Sequence, residues 1–353
     1  MTQLAISHLA FLTPGNYPDD APWQGLEETL QLFETGERLG YNGAWVRQRH
    51  LEHGVSSAST FLAAASQRTK TIELGTAVIQ VGYESPFRLA EDLSTVDVLS
   101  RGRLNVGLSA GQPAHAELLG AEVFNENWRS EDFSYNRVKR LIDNLSGRYL
   151  GDQESFIESP GNRQRPRLQP YASGLTHRLW YGGGSLRSVK WAGENNLNLL
   201  IGNLTSGENT DDYYTAQLRQ LEVYRAALAT HHHVNANPTP RIARGRVIVP
   251  FDSADAATRR RYTDFAASRH ARTLAPQGDR RTLFSPDLVG SADQILEQLH
   301  KDPLLHELSE LRIELPYEFN IEEYQQILTD FIELIAPEVG WKKAASELNQ
   351  TAA

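Results

Sequence analysis

"TIELGTAVIQVGYESPFRLAEDLSTVDVLSRGRLNVGLSAG", Thr71 to Gly111, contains one complete repeat of a pattern that runs through the whole chain. Its first ten residues form a short apolar run that reads as a strand. "SPFRLAEDLSTVDVLSRGR" then reads as a helix, with Pro86 in the first turn, where a missing N–H is harmless, and Gly102 as the stop. "RLNVGLSAG" follows at once as the next strand. The unit is strand, helix, strand.

The same unit repeats in both directions. "LAISHLAFL" (4–12) and "GAWVR" (43–47) read as the first two strands, with a helix over 25–40 between them, where Leu26, Leu30, Phe33 and Leu39 recur near helical spacing. Beyond Gly111, strands are expected at "HRLWYG", "LNLLIG", "RGRVIVPF" and "ELRIEL", each followed by an amphipathic stretch. Eight such units predict a closed (β/α)8 TIM barrel, with an open doubly wound sheet as the alternative. Two polar segments, about 112–177 and 272–288, read as excursions from a single domain spanning 1–353. Within the first, "SPGNRQRPRLQP" reads as an insertion loop.

Composition narrows the chemistry. The 353 residues carry 35 Lys and Arg against 44 Asp and Glu, a formal charge of -9, which argues against wrapping nucleic acid or an anionic membrane. There is no cysteine, so thiolate nucleophiles, disulfides and Cys-bound metals are excluded and any redox role depends on a borrowed cofactor. The N-terminus lacks a basic leader and no apolar run is long enough to span a bilayer, so a cytoplasmic location is expected. The histidines of "HHHVNANP" (231–238) cannot all face one ion at the end of a helix, and no metal site is expected there.

In a barrel the chemistry sits at the C-terminal ends of strands. At the fifth, Gly182, Gly183 and Gly184 lead through Ser185 into a helix whose N-terminus suits a phosphate, with Ser188 and Arg187 adding donors. The competing reading is a tight turn that needs glycine for positive φ. The spacing is not that of a dinucleotide fingerprint. At the second strand, "RQRHLEH" gathers Arg47, Arg49, His50 and His53, which read either as a general acid–base site or as a solvated loop. Gly75, Thr76, Ala77, Ser109, Ala110 and Gly111 are small, leaving room for a flat ring or simply fitting a crowded interior.

With those residues in place, the chain resembles the bacterial luciferase-like flavin-dependent monooxygenases. The resemblance rests on "SPFRLAEDLSTVDVLSRGRLNVGLSAG", "ELGTAVIQ", "YGGGSLRSVKWAGENN" and "LVGSADQILEQL". It implies reduced FMN, supplied by a separate NAD(P)H:flavin reductase, reacting with O2 to oxygenate a small organic substrate, in a homodimer. The deazaflavin F420 with hydride transfer, and a flavin-binding barrel without catalysis, are the alternatives. By resemblance Ala77 and Val78 match a non-prolyl cis peptide beneath the flavin ring, and Ser109 and Gly111 lie near the ring edge. Gly183, Gly184, Ser185, Arg187, Ser188 and Tyr135 fall around the phosphate. His50 stands second in the family's His-His pair, with Arg49 replacing the first, catalytic histidine. Ala110 replaces an arginine and Gly184 an acidic residue, which implies a substrate other than a long-chain aldehyde.

Overall fold

The computed structural model describes residues 3–231 and 239–343. The histidine run beyond His231 therefore lies outside the described residues. Eight strands close into a barrel: β1 (His8–Thr13), β2 (Gly43–Val46), β3 (Glu73–Gln80), β4 (Leu104–Ser109), β5 (Leu179–Gly183), β6 (Asn198–Ile201), β7 (Ile242–Arg246) and β8 (Glu310–Glu314). Neighbours in the barrel follow chain order and every pair is parallel. These are the eight strands expected, so the closed barrel replaces the open sheet.

Several local expectations are corrected. The first strand begins at His8, because Ile6 donates its N–H to the Val339 carbonyl beneath the barrel and Leu4 and Ile6 are buried there. "RGRVIVPF" breaks after Arg246: Ile248–Pro250 leaves the barrel and pairs in parallel with Leu288–Gly290. The segment read as an insertion loop begins within an antiparallel hairpin, Ile157–Ser159 against Asn162–Gln164. A helix at Ala116–Phe124 was not expected. In the second excursion, Thr282–Phe284 pairs antiparallel with Leu204–Ser206, folding over the exit of β6. Among the described residues no helix is long and apolar enough to cross a membrane.

Alternate residues of each strand face the interior. At the N-terminal end Arg241 binds Glu310 at 2.6 Å and Glu73 at 3.1 Å, and His8 lies 3.1 Å from Glu73. Above this lies an apolar layer of Ala10, Leu12, Leu200 and Ala243 around Trp45 and Trp180, whose rings meet edge to face at 5.5 Å. Above that, Arg47 pairs with Glu314 at 2.8 Å. These two layers fill the interior below the C-terminal mouth.

Candidate active site

One wall of the mouth comes from β3 and β4. Their register shifts between Thr76, opposite Val106, and Ile79, opposite Leu108, so Ala77 and Val78 bulge out of the ladder. The fully buried Thr76 hydroxyl repairs the gap, donating to the Gly107 carbonyl and accepting its N–H, both at 3.0 Å. Residue 107 must be glycine, since a Cβ there would stand 2.1 Å from the Thr76 carbonyl oxygen. The Ala77–Val78 peptide is cis. Ser109 pairs with Gln80 at the end of β4, and Gly111, at φ 104°, donates its N–H to Phe133.

A second wall is the glycine loop. None of Gly182, Gly183 or Gly184 has positive φ, which corrects the tight-turn reading. Close approach explains the first two instead: a Cβ at Gly182 would lie 3.1 Å from Val78, and one at Gly183 2.6 Å from Val189 and 2.8 Å from Leu199. At Gly184 a Cβ would meet nothing within 4 Å. The helix Leu186–Glu194 that follows starts with a capping box in which Ser185 accepts from the Ser188 N–H. The Ser188 hydroxyl in turn accepts from the N–H groups of Gly184 at 3.2 Å and Ser185 at 3.0 Å. Glu208 takes the Leu186 N–H at 2.7 Å. The Arg187 guanidinium lies 5.4 Å from the Tyr135 ring, which stacks on Trp191 at 4.6 Å. Tyr135 therefore stands beside the helix terminus.

Between these walls lies a cavity of about 200 Å³, lined by Ala77, Val78, the three glycines, Gly202 and Asn203, with Arg47, Arg312 and Glu314 opposite. Of the second-strand cluster, only Arg47 reaches it. Arg49 bonds the Tyr317 hydroxyl at 3.2 Å and lines a different cavity of about 660 Å³, together with His53. His50 turns the other way, and its ring meets Tyr83 edge-on at 5.0 Å.

The Gln48 amide fixes the state of His50. Its oxygen accepts the Ala58 N–H at 3.1 Å, so its nitrogen faces both Glu84, at 2.9 Å, and the His50 Nε2, at 3.4 Å. A donor aimed at Nε2 requires that atom to be bare, which places the ring proton on Nδ1. Burial, and then the charge of His115, lower the pKa of His50 below the usual histidine value, while burial raises that of Glu84. The imidazole is accordingly neutral at neutral pH, the form that accepts a proton.

Sequence reasoning passed over Arg312, Glu314 and Glu208. The available signal for the first two was the charged alternation of "ELRIEL" on a strand expected to line a barrel. Glu208 reaches the helix terminus only through the tertiary path of the loop after β6.

A family model described as luciferase-like monooxygenase matches residues 4–305. Limonene 1,2-monooxygenase of Rhodococcus erythropolis is 35% identical over 136 residues, covering 38% of this chain and 35% of that protein. The oxygenase component of flavin-dependent trigonelline monooxygenase from Acinetobacter baylyi is 23% identical over 189 residues, 52% of this chain and 50% of that one. The matches thus span only about a third to a half of these relatives' length. The oxygenating constituent of 3,6-diketocamphane monooxygenase from Pseudomonas putida, a type II Baeyer-Villiger enzyme solved with FMN, shares the fold. Its TM-score is 0.65 at 16% identity, over 95% of this chain and 98% of that one.

Proposed function

This chain belongs to the luciferase-like monooxygenase family, and from that premise we propose that it is the oxygenating component of a two-component flavin system. In this reading it takes reduced FMN from a separate NAD(P)H:flavin reductase and uses O2 to oxygenate a small organic molecule. The observation that carries the reading is the open space at Gly184, on the cavity that Ala77 and Val78 also line, at a helix N-terminus flanked by Arg187. The relative named as an oxygenase component supports the separate reductase.

The residues present fit the cofactor. Gly183, Gly184, Ser185, Ser188, Arg187 and Tyr135 would hold the phosphate, and Ala77, Val78, Ser109 and Gly111 would flank the ring. Binding there requires Ser188 to release the Gly184 and Ser185 N–H groups and Glu208 to release that of Leu186, since two anions cannot share one helix terminus without repulsion. The flavin, when bound, supplies electrons and the activation of O2. The chain excludes water by the dry layer below the mouth and orients the ring through the two walls, while the neutral His50, outside that cavity, holds the Gln48 amide of the loop that carries Arg47 into it. Arg49, facing the larger cavity, would act on substrate entry.

One consequence concerns pH. Because the folded pKa of His50 is depressed, its neutral form persists as pH falls through the ordinary histidine value of about 6.5. The acid limb of kcat/KM is expected below that value. His115→Asn, suited to the left-handed φ of 62° there, should move the limb upward by removing a repelling charge. A limb that stays in place would separate His50 from the reaction.

The reading itself is tested by supplying reduced FMN and isotopically labelled O2 with a panel of small ketones, alkenes and aromatic acids. Label in an organic product is expected. Oxidation of reduced F420 without oxygen uptake would replace the reading by hydride transfer, and peroxide without product across the panel would leave a non-catalytic flavin carrier.

A further inference from the structure

The mouth cavity is lined by a buried cation, Arg312, that has free donors among the described residues. Arg312 is 3% exposed, and neither its Nε nor its Nη1 has a hydrogen-bond acceptor among the described residues. The buried Nε of Arg47, on the same cavity, is also without one. Glu314 is committed to Arg47 at 2.8 Å, and among the described residues no carboxylate forms an ion pair with Arg312. The guanidinium instead rests 5.2 Å from the centre of the Trp45 ring. Buried charges are ordinarily paired, so a lone guanidinium on a ligand-sized cavity is an incomplete site.

We propose that Arg312, with Arg47 beside it, is the seat for a negatively charged oxygen of a bound small molecule. The shared chemistry is a delocalised anion presenting an acceptor edge. Its source is either a carboxylate, phenolate or enolate of the substrate, or the pyrimidine edge of reduced flavin. The free Nε and Nη1 donors point to different sides of one planar guanidinium, so an anion can take either at a fixed direction that a flexible lysine ammonium does not offer. Burial first, offset by Glu314, pulls the Arg312 pKa down to about 10, so the group stays cationic at neutral pH. With Arg47 and Glu314 cancelling, the cavity wall keeps one positive charge.

This rests on the mouth being the reaction pocket, yet its test does not need the flavin. Benzoate and its neutral counterpart benzamide are titrated against the flavin-free chain, and oxidised and reduced FMN are titrated separately without oxygen. If the source is the substrate, benzoate is expected to bind at least tenfold tighter than benzamide. If it is the flavin, reduced FMN should exceed oxidised FMN by a similar factor. Arg312→Met should abolish whichever preference is present and Arg312→Lys should retain part of it. Absence of both preferences in the unmodified chain, or their survival in a folded Arg312→Met, overturns the proposal. Should that variant not fold, Glu314→Gln decides: by freeing Arg47 it should strengthen the preference severalfold, and an unchanged preference overturns the proposal. Failure to bind FMN at all with the benzoate preference intact would remove the flavin reading and leave the anion seat standing.

Discussion

Asp302→Asn is expected to destabilise the chain by about 3–5 kcal/mol, the cost typical of removing one member of a buried ion pair. Asp302, Arg244 and Arg246 are all fully buried, between the outer face of β7 and the segment after the helix Ala292–Lys301. The Asp302 carboxylate accepts from Arg244 Nη2 at 2.9 Å and also bonds Arg246. Asparagine keeps the volume but leaves two buried cations without a counter-charge. Burial pushes the Asp302 pKa up, but the two arginines more than offset it, and the net direction is down. A depressed carboxyl contributes stability above its unfolded value and loses it as pH falls through the lower folded one, so the contribution is complete at neutral pH.

The same variant should reach the mouth. Arg244 Nη1 holds the Gly202 carbonyl at 3.1 Å, along with Tyr213 and Gln217, and Gly202 lines the cavity. Thermal and urea unfolding measure the loss. The contrasting triple replacement by apolar residues of similar volume is expected to recover most of it, because desolvation then no longer opposes folding. An Asp302→Asn protein as stable as the parent would mean that the arginines are satisfied by their neutral partners.

Thr76→Val is the second large effect, expected to cost about 2–4 kcal/mol despite its near-equal shape. The buried Gly107 N–H and carbonyl both depend on the Thr76 hydroxyl, and each unsatisfied buried group costs about 1–3 kcal/mol. Because Ala77 and Val78 bulge from the ladder next to it, the wall proposed to carry the flavin should shift, with FMN affinity falling at least tenfold. Thr76→Ser keeps the hydroxyl and should lose only about 1 kcal/mol of methyl packing. Thermal unfolding with a parallel FMN titration distinguishes them. If serine proves worse than valine, packing governs the position.

The barrel is legible because each unit carries its own punctuation, such as Pro86 opening and Gly102 closing the helix between β3 and β4. The helix Ala116–Phe124 is not, because it has no apolar stripe to read: only Ala116 and Gly120 are buried, while Leu118 and Val123 face outward. The break after Arg246 is hidden for a different reason, since the apolar run Val247–Val249 looks the same whichever strand it pairs with. At the site, the glycine loop is readable as a place but not in its cause, which is close packing at Gly183 and open space at Gly184. Arg312 leaves a trace in the charged alternation of "ELRIEL", but its lack of a counter-charge emerges only when closure of the barrel buries that face of β8. Arg49 and His50 diverge where the chain has already left β2 at Val46 and bends, and nothing in "RQRHLEH" announces that bend.

In the proposed function the terminus of the helix Leu186–Glu194 receives the phosphate of FMN. Oxygen-free titration of the purified chain with reduced FMN, reduced riboflavin and reduced F420 tests it most directly. The phosphate is expected to make FMN bind at least tenfold tighter than riboflavin, about 1.4 kcal/mol, and tighter than F420. Equal affinity for FMN and riboflavin, or a preference for F420, would contradict it.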